Sequence, residues 1–94
     1  MSAAPYQRKD AAGGNCQIDL LILTASTALV VEIKWRTKID RAVIDEVREK
    51  VRRLKVSSDR SICTALVYAG ELSEGVLADG YFDFVVSAEK LFLE

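Results

Sequence analysis

The stretch Gln17 to Arg36, QIDLLILTASTALVVEIKWR, decides how this chain folds, because it sets charged side chains into one of the most apolar parts of the sequence. Ile18, Leu20 and Ile22 alternate with Gln17, Asp19, Leu21 and Leu23. After the turn-like Ala25-Ser26, Leu29, Val31, Ile33 and Trp35 alternate with Val30, Glu32, Lys34 and Arg36. Both runs predict β-strands that are apolar on both faces, as in a sheet covered on each side.

A hairpin folded about Ala25 and Ser26 pairs residues whose numbers add to 51, so Asp19 faces Glu32 and Gln17 faces Lys34. Directly opposed side chains have Cβ atoms roughly 4.5–5.5 Å apart, and like charges so placed destabilise a sheet. A sequence selected for folding alone would avoid this pairing. Two carboxylates held so close either share a proton or bind a cation that neutralises both. Hard oxygen donors in this number suit Mg²⁺ or Mn²⁺ with several retained waters.

Asp19, twelve intervening residues and then Glu32-Ile33-Lys34 on an apolar strand, followed by an amphipathic helix, resembles the PD-(D/E)xK nuclease superfamily. The resemblance covers roughly Gln17 to Leu54. The longer string QIDLLI, VVEIKWR, IDEVREKVRRL also resembles the nuclease-like C-terminal domain of some prokaryotic AAA-type ATPases. The resemblance implies that Asp19 and Glu32, with the backbone carbonyl of Ile33, hold the metal, and that Lys34 orients the attacking water and stabilises charge at phosphorus. Gln17 is then a further polar contact. It also implies a restriction-endonuclease-like core, with nucleic acid, DNA by preference, as substrate and an AAA-type ATPase as a further partner. Ile18 stands where the motif's name has Pro, and no helix precedes the first strands, where the family usually has one.

The 94 residues make one domain with a single small core. Half are apolar and 29% are charged, which fits a globular chain and not a disordered one. No histidine is present, so His triads, His general bases and most transition-metal sites are excluded. Cys16 and Cys63 are too far apart for a CxxC pair and read as reduced thiols of a cytoplasmic protein. No signal core and no uninterrupted apolar run of about 20 residues is found, so the expectation is a soluble protein with no membrane partner.

The net charge of -1 conceals an asymmetry. Lys34 to Lys55 carries nine basic residues against four acids, and Val56 to Glu94 carries two against seven. The basic strip beside the proposed site suits a phosphate backbone, with Arg36, Arg48 and Arg52 as candidate contacts, and Arg8 and Lys9 on an expected edge strand at residues 6–11 as others. Such charges are more often simply a solvated surface and, on the expected edge strand, a guarded sheet edge.

After Arg36 the apolar period changes from two to 3.6. Asp40 is placed to cap a helix from Arg41 to about Lys55, with Ile39 and Ile44 as a hydrophobic staple. Val43, Ile44, Val47, Val51 and Leu54 line one face, and the pairs Glu46–Lys50 and Glu49–Arg53 the other. Ile62 to Ala69 reads as a buried strand ended by Gly70 and parallel to the one bearing Glu32. Ser73 caps a short helix to about Ala78, Gly80 ends it, Tyr81 to Val86 forms a further strand, and Ser87 opens a last turn through Leu93.

The expected architecture is therefore α/β: a mixed sheet flanked by helices in the order βββαβ with a further αβ. With no early helix to cover one sheet face, a homodimer is expected to bury it. Trp35 is expected in the core or in that interface. The expected activity is Mg²⁺-dependent hydrolysis of phosphodiester bonds. The alternative is a module that keeps the fold and binds nucleic acid or a protein without cutting.

Overall fold

The computed structural model describes residues 2–9 and 15–92, with side-chain positions at 3 and 18–90. A five-stranded sheet carries the strands in chain order: β1 (Ser2–Lys9), β2 (Asn15–Leu23), β3 (Thr27–Ile39), β4 (Ser61–Leu72) and β5 (Phe84–Ser87). The first three are antiparallel neighbours and the last three are parallel, so the sheet is mixed. Helix α1 (Ala42–Arg53) connects β3 to β4, α2 (Glu74–Asp79) lies between β4 and β5, and α3 (Ala88–Phe92) follows β5.

The hairpin register is the expected one. Leu20 pairs with Val31, Leu21 with Val30, Ile22 with Leu29 and Leu23 with Ala28. Thr24 fixes the turn: its hydroxyl accepts from the Thr27 N–H at 3.0 Å and its own N–H donates to the Thr27 carbonyl at 2.9 Å. The edge strand β1 begins four residues earlier than expected and is paired along β2 from Ser2–Leu23 to Lys9–Asn15.

Helix α1 lays Val43, Ile44 and Val47 on the sheet face that carries Leu21, Ala28, Val30 and Leu66, and these form one buried core. Asp40 Oδ1 accepts from the Ala42 N–H at 2.9 Å, which satisfies one of the free donors at the helix start. Ile39 and Ile44 are both buried in the core on either side of that turn. Ser73 caps α2 as expected, accepting from the Gly75 N–H at 3.2 Å, and Gly80 closes it with φ +71°.

Three further points differ from the sequence expectation, besides β3 running past Arg36 to Ile39. First, β4 runs through Gly70 to Leu72, because β3 places Arg36 and Thr37 against the single residue Gly70 and then resumes pairing at Lys38–Glu71. At this bulge Gly70 takes φ +113°, and a Cβ there would lie 1.7 Å from the Arg36 carbonyl oxygen, so glycine is required. Second, β5 starts at Phe84 and not at Tyr81. The preceding residues are stitched to β4 by side chains: the Thr64 N–H donates to Asp83 Oδ2 at 2.8 Å and the Thr64 hydroxyl to the Tyr81 carbonyl at 3.3 Å. Third, Trp35 is not a core residue, being 69% exposed.

Trp35 is exposed because it lies on the sheet face away from α1. Register places Ile33 beside Val67 and Val86, Trp35 beside Ala69, and Ala65 beside Phe84 on that side. Ile33 and Phe84 are 45% and 56% exposed, whereas Val31, Ala65 and Ala69 on the same side are buried, so this face is open in part. This open face is where the expected homodimer contact would fall. Among the described residues no helix is long and apolar enough to cross a membrane. Cys63 is a free, half-buried thiol.

Candidate active site

The site forms where β2 and β3 part. The ladder between them ends at Leu20–Val31, one pair short of Asp19 and Glu32. The cause is on the other edge of β2, where Ala4 pairs with Leu21 but Tyr6 pairs with Ile18. Asp19 and Leu20 thus stand against Pro5 alone, and the extra residue interrupts the alternation of β2. Proline lacks the N–H that a regular ladder would use, and such residues are confined to edges and bulges.

The bulge has two consequences for side chains. Ile18, three residues from Leu21, would lie on the opposite face in a regular strand, yet both belong to the core under α1. Asp19 turns to the backbone of β3, and its Oδ2 accepts from the Ile33 N–H at 2.8 Å. A carboxylate oxygen therefore occupies the place where the next strand carbonyl would have bonded. The simple face-to-face opposition of Asp19 and Glu32 is corrected accordingly: the ladder stops before that pair, and each acid has its own partners, Asp19 the Ile33 N–H and Glu32 the two lysines.

Glu32 points to the side of the sheet covered by α1 and is only 1% exposed. Burying a carboxylate is costly unless it is paired and hydrogen-bonded. Two ammonium groups meet that need. Lys50 Nζ donates to Oε1 at 2.9 Å and to Oε2 at 3.3 Å, and Lys34 Nζ lies 3.4 Å from Oε2. Lys34 in turn contacts Glu46 Oε2 at 2.6 Å. Among the described residues no buried side-chain nitrogen or oxygen lacks a hydrogen-bond partner.

Glu46 and Lys50, one turn apart on α1, therefore reach inward to β3, to Lys34 and Glu32 respectively. The sequence reading had paired them with each other on the outer face. Lys50 is the member of this charged cluster that the sequence pattern does not single out. Its position beside the apolar stripe Val43, Val47, Leu54 was a usable signal, since it falls three residues after Val47, on the helix side that meets the sheet. The expected Glu49–Arg53 pair is present at 2.9 Å.

The remaining candidates divide. Arg36 and Lys38 are exposed on β3 at the same end of the sheet as Lys34. Arg48 lies over the Tyr81 ring, 5.0 Å from its centroid, and 3.8 Å from Asp45. Arg52 is bound to Glu49 through two hydrogen bonds. These two arginines serve contacts of their own domain. Arg8, Lys9 and Gln17 occupy paired positions on β1 and β2, and their side chains lie outside the described set.

Comparison with protein-family models, curated proteins and solved structures finds no match to this chain. The chemistry must therefore be argued from the donor set. Among the described residues no group of three or more Asp, Glu, His or Cys is placed to hold a metal. Magnesium, however, is commonly held by one or two carboxylates, with water and substrate phosphates completing its shell. At Glu32 the two lysines already bring two positive charges to one carboxylate, the same charge that a divalent ion carries. The carboxylates of Asp19 and Glu32 are of the donor type such an ion takes, while the charge at Glu32 is balanced in this structure by the two lysines.

Proposed function

We propose that this chain is a metal-dependent nuclease with a restriction-endonuclease-like core, acting on phosphodiester bonds in nucleic acid, with DNA as the preferred substrate. The observation that carries the reading is a carboxylate, Glu32, that is 1% exposed and held by two ammonium groups at the point where Asp19 interrupts the adjoining strand. Charge buried in this way is weak support for stability, since well-packed apolar residues do as well or better. Its retention beside a second acid and a lysine favours a role in chemistry.

Asp19 and Glu32, with the carbonyl of Ile33, would hold Mg²⁺ or Mn²⁺, which when bound supplies a water of lowered pKa and screens the phosphate. Lys34 donates toward the attacking water and toward the charge that develops on the phosphoryl oxygens. Glu46, 2.6 Å from Lys34, positions that ammonium. Gln17 adds a polar contact from β2. Arg36, with Arg8 and Lys9 from the first hairpin, meets the phosphate backbone, where each contact gains affinity by releasing counterions. A AAA-type ATPase is the partner class that accompanies this reading.

A second reading, a domain that binds nucleic acid or a protein without cutting, draws on the same site, because Lys50 already satisfies Glu32. Assays on supercoiled, linear and branched DNA and on RNA, with Mg²⁺, Mn²⁺ or EDTA, separate the two. Cleavage that requires metal and disappears in Asp19→Ala, Glu32→Ala and Lys34→Ala is the expected result. Binding without cleavage under every metal condition would move the protein to the second reading.

A further inference from the structure

We propose that Lys50 is a resident counter-ion for Glu32 that competes with the divalent metal, so that loading exchanges one ammonium for one ion. This deepens the metal-dependent reading and rests on it. The geometry of the cluster carries the argument.

Lys50 is the principal partner of Glu32, since it touches both carboxylate oxygens, at 2.9 and 3.3 Å. Lys34 stands at 3.4 Å from one of them and is nearer to Glu46, at 2.6 Å. An ion taking the Glu32 oxygens thus displaces Lys50 first, and Lys34 keeps a partner throughout.

The two members of the pair differ in freedom. The Glu32 side chain is 2% exposed and the Lys50 side chain 27% exposed. Glu32 sits within a strand paired with β4, whereas Lys50 hangs by a flexible four-carbon stem from the last turn of α1. Lys50 can swing its strongly hydrated head into water by rotamer change alone, and Glu32 cannot follow. The exchange needs no backbone movement, and Glu32 is never left without positive charge.

The test measures metal binding directly. Mn²⁺ affinity is read by electron paramagnetic resonance, and Mg²⁺ affinity by calorimetry, on the full chain and on Lys50→Met, Lys50→Gln and Glu32→Gln. Removing the competing ammonium should tighten Mn²⁺ binding by about tenfold or more, the lower end of what close charge pairs contribute. Glu32→Gln should abolish it. Circular dichroism reports folding, and Lys50→Gln, which keeps a hydrogen-bond donor, decides the matter if Lys50→Met fails to fold. Wild-type binding with no tightening in either Lys50 variant would overturn the exchange and leave the nuclease reading intact. No Mn²⁺ binding by any of the four proteins would overturn both.

Discussion

Replacing Glu32 and Lys50 together by Met should make the protein more stable. Glu32 is 1% exposed, and its main partner is Lys50, so the wild type bears the desolvation of a carboxylate and part of an ammonium. Exchanging such a pair for apolar residues of similar volume is neutral to stabilising by about 1–4 kcal/mol. The lower half of that range applies here, because Lys50 is part-exposed and Lys34 retains Glu46. Lys50→Met alone should go the other way. It leaves the buried carboxylate with Lys34 only, at 3.4 Å, and should cost about 1–3 kcal/mol, less than the 3–5 kcal/mol typical of a fully buried pair. Urea denaturation followed by circular dichroism measures both. With a slope of about 2 kcal/mol/M, a gain of 1–2 kcal/mol raises the midpoint by about 0.5–1 M. A double variant clearly less stable than wild type would show that the charged cluster is there for folding, and the case for chemistry at Glu32 would lose its footing.

Three further outcomes are expected. Gly70→Ala, with φ +113° and a new Cβ 1.7 Å from the Arg36 carbonyl oxygen, should destabilise the sheet by about 2–4 kcal/mol, measured by the same denaturation series. Glu49 has a carboxyl held down to about 2, chiefly by its hydrogen bond from Arg52, so Arg52→Ala should raise it toward the ordinary 4.5 in a carbon-detected NMR titration. The favourable effect of Arg52 on Glu49 is present above the ordinary value and fades as pH falls through about 2, so a titration unchanged by the substitution would remove the assigned cause. Sedimentation at high micromolar concentration should show a dimer that Trp35→Lys dissociates, since the open sheet face carries Trp35, Ile33 and Phe84, and a monomer there would remove the homodimer.

Much of the fold was legible because it depends on local pattern. Strict alternation on either side of Ala25-Ser26 fixes a hairpin register, and the switch to a period of 3.6 after Arg36 fixes the helix that covers one face of it. Ser73 and Gly80 mark the short helix because one accepts a free N–H and the other adopts a left-handed turn. The site was only half legible, since it depends on where regularity fails. Pro5 is the sequence mark of the bulge, but its effect falls on Asp19 across a strand pair whose register was not yet known. Lys50 was hidden for a related reason. On an isolated helix it pairs with Glu46 four residues earlier, and only the packing of α1 on β3 offers both residues different partners.

Strand β3 outlasts its antiparallel neighbour. From Ile33 to Ile39 it is laddered, among the described residues, to β4 alone, and its opposite border has no strand partner among those residues. Asp19 plugs the first N–H of that border, and Arg36 and Lys38 place exposed positive charge farther along it. Exposed borders of this kind invite strand addition and fibrillar growth, which inserted charge resists. Neutralising several of these charges at once is therefore expected to raise self-association through this border, measured by light scattering.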